Sequence, residues 1–107
     1  MNLTDLCFHL RNRRRMYLLD DRFSTAVAFV QGYDSAFDGV PLSGFHDFVA
    51  TRLVNHETSF HWAYVIASTR VPAILESGVR IDQIPAEFDK ELTEMLVGLL
   101  EDYQGGG

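Results

Sequence analysis

P-A-E-F-D-K-E-L-T-E-M-L-V-G-L-L-E-D-Y, residues 85–103, is the stretch on which the fold turns. Phe88, Leu92, Met95, Leu96, Leu99, Leu100 and Tyr103 recur every three or four places, which on a helix makes one unbroken apolar stripe. Pro85 suits a first helical turn, where its missing N–H leaves nothing unpaired. Such a stripe has to be covered by other elements, so the rest of the chain must supply packing partners.

It supplies helices. Leu3, Leu6, Cys7 and Leu10 predict a first helix over 3–13, with Asn2 or Thr4 as its cap. Phe23, Ala26, Val27, Val30, Tyr33 and Phe37 predict a second over 22–37, capped by Asp20 or Asp21, with Gly32 available for close packing of a neighbour. A turn at Asp38-Gly39-Val40-Pro41 leads to a third helix from Ser43 or Gly44, with Phe45, Phe48, Val49 and Leu53 inward. F-H-W-A-Y-V-I-A, residues 60–67, fits either period; it is read as helix because no strand partner is evident elsewhere. Met16–Leu19 reads as extended and Val71–Ile81 as a loop. The expectation is an all-α, compact single-domain bundle of about five helices over residues 1–104, followed by a flexible glycine tail at 105–107.

Charge narrows the function. The 107 residues carry a net charge of −6, which disfavours general attraction to nucleic acid. Residues 1–22 hold five Arg against three Asp, whereas residues 71–107 hold Arg80 and Lys90 against eight acids. No apolar run approaches the roughly 20 residues of a membrane span. One cysteine, no secretory signal and no span make a reduced, cytoplasmic protein the simplest expectation.

Catalytic and metal motifs are weak. His56 and His61 lie five apart, one residue more than the zincin spacing that puts two imidazoles on one helical face. Cys7 and His9 diverge on a helix, so Cys7 reads as a small core residue. The glycines at 32, 39 and 44 are isolated and form no phosphate loop. No cofactor and no enzymatic activity are expected; an enzyme with a composite site at His46, His56 or His61 is the more distant alternative. Arg11, Arg13, Arg14 and Arg15 read first as charges complementing a helix end and pairing with acids elsewhere.

The acids of the last helix say more. Glu87, Glu91, Glu94 and Glu101 recur at helical spacing beside the stripe, with Asp102 next to Glu101. Glu101 and Asp102 sit at the end where the helix dipole disfavours anions. They are therefore candidates, with Asp34 and Asp38 as outsiders, for an electronegative face that captures a basic protein. The alternative is a small homodimeric regulatory or assembly subunit joined through partly exposed Phe60, Trp62 and Tyr64.

Residues 13–33, R-R-R-M-Y-L-L-D-D-R-F-S-T-A-V-A-F-V-Q-G-Y, resemble small bacterial helical proteins with the pattern R-P-x-M-Y-[LI]-G followed by a capped helix ending F-x-x-G-Y. Phe45, Phe48 and Val49 match a later F-x-x-[WF]-[VL] helix, and Trp62 extends the likeness to about residue 66. Some such proteins resemble immunity proteins encoded beside polymorphic toxins. The resemblance implies a monomeric or dimeric inhibitor of a cognate protein toxin, a basic nuclease being one class. Arg14 replaces the family-like Pro and Leu19 the Gly, so no functional residue carries over from that loop. The same segment also resembles the start of type II topoisomerase ATPase subunits, but the chain lacks their Asp-x-Gly-x-Gly motif and is too short for that fold.

Overall fold

The computed structural model describes residues 1–105. Of the expected glycine tail, Gly106 and Gly107 lie outside the described residues, and Gly105 closes the last helix with its N–H on the Glu101 carbonyl. The described residues hold seven α-helical segments and no strand: α1 (Leu3–Asn12), α2 (Arg14–Tyr17), α3 (Phe23–Ala36), α4 (Phe45–Leu53), α5 (Trp62–Ala67), α6 (Ile74–Ser77) and α7 (Asp89–Gln104). Single 3-10 turns at Ile81–Gln83 and Ala86–Phe88 precede α7.

α7 is the central helix and packs against α1, α3, α4 and α5. Leu92, Leu96, Val97 and Leu100 on α7 meet Leu6 and Leu10 of α1, Phe23, Ala26 and Val30 of α3, Phe45 and Val49 of α4, and Val65 and Ile66 of α5 in one buried cluster. The radius of gyration, 13.1 Å, matches the roughly 13 Å of one compact body this long. α1 packs on the C-terminal part of α7: Thr4 Oγ1 donates to Gln104 Oε1 at 2.7 Å, and Arg11, the next-to-last residue of α1, reaches Glu101, one turn before the end of α7. Asn2 caps α1 through a reciprocal pair with Asp5, its Oδ1 accepting from the Asp5 N–H at 2.8 Å.

Several expectations change. Met16 and Tyr17 are not extended: Arg13, at φ −137°, interrupts α1, and Arg14–Tyr17 then form one further turn, with extended backbone only from Leu18. Arg14 Nε donates to the Leu10 carbonyl at 3.0 Å and holds that turn against the end of α1. The expected loop 71–81 contains the turn α6, which buries Ile74. Pro85 opens the 3-10 turn rather than α7, so Glu87 lies outside the helix. Gly32 has nothing within 4 Å of an added Cβ, so no neighbour of the chain uses the space. Trp62 is 5% exposed and belongs to the core, leaving Phe60 as the exposed member of the expected aromatic hot spot and Tyr64 half-buried. Arg22 occupies the cap position of α3 with no side-chain cap bond of its own; Asp20 Oδ1 accepts from the Arg22 N–H, and the Phe23 N–H is taken by Asp89 from α7.

Candidate functional site

At 100° per residue, the buried positions of α7 centre on Leu96 and Leu100, and the opposite face carries Glu91, Glu94, Gly98, Glu101 and Asp102. Arginines from three other parts of the chain reach this face. Arg11 of α1 forks onto Glu101, with Nη2 to Oε1 at 2.6 Å and Nε to Oε2 at 3.3 Å. Arg52 of α4 meets Asp102 at 3.1 Å. Arg70, beyond α5, pairs with Glu91 and holds its carboxyl below the usual range. All three pairs are solvent-exposed, a setting in which one pair contributes about 0–1 kcal/mol.

The seven candidate acids therefore separate. Glu91, Glu101 and Asp102 are ion-paired within the chain. Asp34 is half-buried and structural: its Oδ1 accepts from the Leu42 N–H at 2.9 Å and pins the turn after α3. Asp38 is exposed in that turn at φ +59°. Glu94 and Glu87 are exposed and have no basic partner among the described residues.

Gly98 stands at the middle of this face, and reading the acids alone missed it. An added Cβ there would meet nothing within 4 Å, so packing inside the chain does not require a glycine. A glycine in the interior of the best-patterned helix was the available signal, since it costs up to about 1 kcal/mol relative to alanine. Gly98→Ala should accordingly raise stability by about 0.5–1 kcal/mol, read as a higher urea midpoint with unchanged slope. A loss of stability would mean that the helix backbone at 98 is held in a way alanine cannot match.

A second exposed surface lies at the α1–α2 junction. An open cleft of about 470 Å³ is lined by Arg11, Asn12, Arg13, Arg14, Arg15, Met16 and Asp21. Arg13, Arg14 and Arg15 have no carboxylate partner among the described residues; the Arg13 guanidinium lies 5.7 Å from the Phe8 ring centre. Phe8, Met16, Tyr17 and Leu19 are all exposed here, Met16 at 73% and Leu19 at 100%. The expected helix-end role thus holds for Arg11 by pairing and for Arg14 by its bond to Leu10, while Arg13 and Arg15 point to solvent-side use.

The histidines do not converge as a ligand set, and the described residues contain no group of three metal-ligating side chains. His56 lies in the loop before α5, its Nδ1 2.8 Å from the Glu57 carbonyl oxygen. His61 caps α5: Nδ1 accepts from the Ala63 N–H at 3.1 Å, which leaves the proton on Nε2, 3.0 Å from Gln31 Oε1. Partial burial, and then nearby His46, hold the His61 imidazole below its ordinary value. The unfolded chain thus takes up this proton first as pH falls. The contribution is complete above about pH 6.5 and is lost as pH drops through the lower folded value. Thermal midpoints at pH 7.5 and 5 should therefore differ less in His61→Asn than in the unaltered chain; an equal difference would remove the cap from the account. Burial, with Glu101 second, pushes the Cys7 thiol up to about 11, so at neutral pH it is a protonated core residue.

No described helix is long and apolar enough to cross a membrane. Compared with known proteins, the chain matches no family model, no curated protein and no solved structure.

Proposed function

We propose that the chain is a protein-binding inhibitor of the immunity kind, which holds a basic protein toxin against the outer face of α7. The observation that carries this reading is Gly98, an open gap in a helix face otherwise lined by Glu91, Glu94, Glu101 and Asp102. A glycine that packing inside the chain does not need, flanked by carboxylates, admits a close approach by a partner's backbone or arginine side chain. Glu94, and Glu87 just before the helix, have no ion-pair partner among the described residues and are free to speed capture of a cationic surface. The paired acids keep their arginines as a rim that fixes the orientation of approach.

The test is complex formation with the product of the reading frame adjacent to this chain's own, together with relief of that product's toxicity in cells. Glu87→Lys with Glu94→Lys should slow association by about tenfold at low salt and flatten its salt dependence, with little change in stability. Gly98→Leu should weaken the complex through faster dissociation. These substitutions are sharper probes than Glu91 or Glu101, whose reversal also releases Arg70 or Arg11. No complex, or a complex indifferent to all three substitutions, overturns the reading.

A further inference from the structure

The cationic cleft at the α1–α2 junction and the anionic face of α7 adjoin. Arg11 lines the cleft, pairs with Glu101 and feels the field of Glu94, so it stands on the boundary between them. On one side of that boundary Arg13 and Arg15 lack carboxylate partners among the described residues; on the other Glu94 lacks a basic one, as does Glu87 further along, just before the start of α7. Met16 lines the cleft, and Leu19, beside Arg15 and Asp21, is fully exposed next to it.

We propose that the chain pairs with a second copy of itself about a two-fold axis beside the Arg11–Glu101 ion pair, so that Arg13 and Arg15 of each copy meet Glu87 and Glu94 of the other. A two-fold contact presents the same patch from both sides, so a patch half basic and half acidic is its own complement. Because the halves are neighbours, one rotation satisfies both and the assembly closes at two; halves on opposite faces would instead build an open chain. The contact also removes Met16 and Leu19 from water. Nucleic acid fits the same arginines less well: it leaves the two apolar side chains unmatched and meets a chain of net charge −6, with Asp21 lining the cleft. This pairing stands on the chain's own charges, but it covers Glu87 and Glu94, the carboxylates offered to the toxin, so the pair must separate before the toxin docks there; sedimentation of the chain alone tests the pairing apart from toxin binding.

Sedimentation equilibrium of the full chain at up to about 100 µM is the test, in about 50 mM and about 500 mM salt. The expected result is a species of twice the 12.1 kDa chain mass, with a dissociation constant raised at least about tenfold by the higher salt. Arg13→Glu with Arg15→Glu should be monomeric, as should Glu87→Arg with Glu94→Arg. Mixed together, these two variants should pair, because each acidic surface again faces a basic one. Leu19→Ser should weaken pairing by about tenfold without altering the fold. A monomer at both salt concentrations overturns the proposal. So does a dimer that survives the reversals, or reversed variants that fail to restore each other, since each places the contact elsewhere.

Discussion

Replacing Phe45 with alanine should lower stability by about 3–5 kcal/mol, the largest loss expected from any single truncation in this chain. Phe45 is fully buried at the first residue of α4, where three elements meet. Its ring lies edge-on to Trp62 of α5 at 5.3 Å and to Tyr103 of α7 at 5.4 Å, with Phe48 stacked at 6.4 Å. Edge-to-face pairs add about 0.5–1.5 kcal/mol each to the area they bury. The neighbours cannot close over the gap: Trp62 is itself buried, and Tyr103 is fixed because its hydroxyl accepts from the Gly44 N–H at 3.1 Å. The loss therefore includes the cavity as well as the transfer of the ring to water. At about 4 °C per kcal/mol for a domain of this size, the thermal midpoint should fall by roughly 12–20 °C. The urea midpoint should fall with an unchanged slope. A loss under about 1 kcal/mol would mean that α4 is joined to α5 and α7 by other contacts.

The same residue shows what local pattern could reveal. Phe45, Phe48 and Val49 announce an inward helical face by spacing alone, as do Leu92, Leu96 and Leu100, and these faces do build the core. α2 and α6 were illegible because a single turn has no period: Met16 and Ile74 sit in runs too short to distinguish helix from extended chain. Composition cannot tell a buried tryptophan from an interfacial one; the edge-on contact with Phe45 and 5% exposure place Trp62 in the core. The acids of α7 were legible as a stripe, but their partners were not. Arg11, Arg52 and Arg70 lie 90, 50 and 21 residues away from Glu101, Asp102 and Glu91, and only the fold brings them together. Among the described residues, tertiary pairing therefore leaves Glu94, and Glu87 before the helix, as the acids of this stripe without an ion-pair partner, with Gly98, like Gly32 in α3, a helix-interior glycine that packing does not require.

Asp89→Ala should cost about 1–3 kcal/mol, and Asp89→Asn should recover most of it. Asp89 is 8% exposed, and its Oδ1 accepts from the Phe23 N–H at 2.9 Å, joining residues 66 apart in the chain. α3 depends on this bond because Arg22, at its cap position, has no side-chain cap bond of its own. The same carboxylate is the first residue of α7, where the helix dipole favours an anion. Alanine removes both contributions and leaves the Phe23 N–H buried without an acceptor, which is the costly half of a lost hydrogen bond. Asparagine keeps an oxygen at the same place and gives up only the charge, a loss of about 0.3–1 kcal/mol. Hydrogen exchange separates the two roles. In Asp89→Ala the Phe23 amide and its neighbours in the first turn of α3 should lose protection before the rest of the core, whereas in Asp89→Asn they should not. If both variants fall equally, the charge at the start of α7 is the source of the effect, and α3 is held in place by the burial of Phe23 rather than by the acceptor α7 offers it.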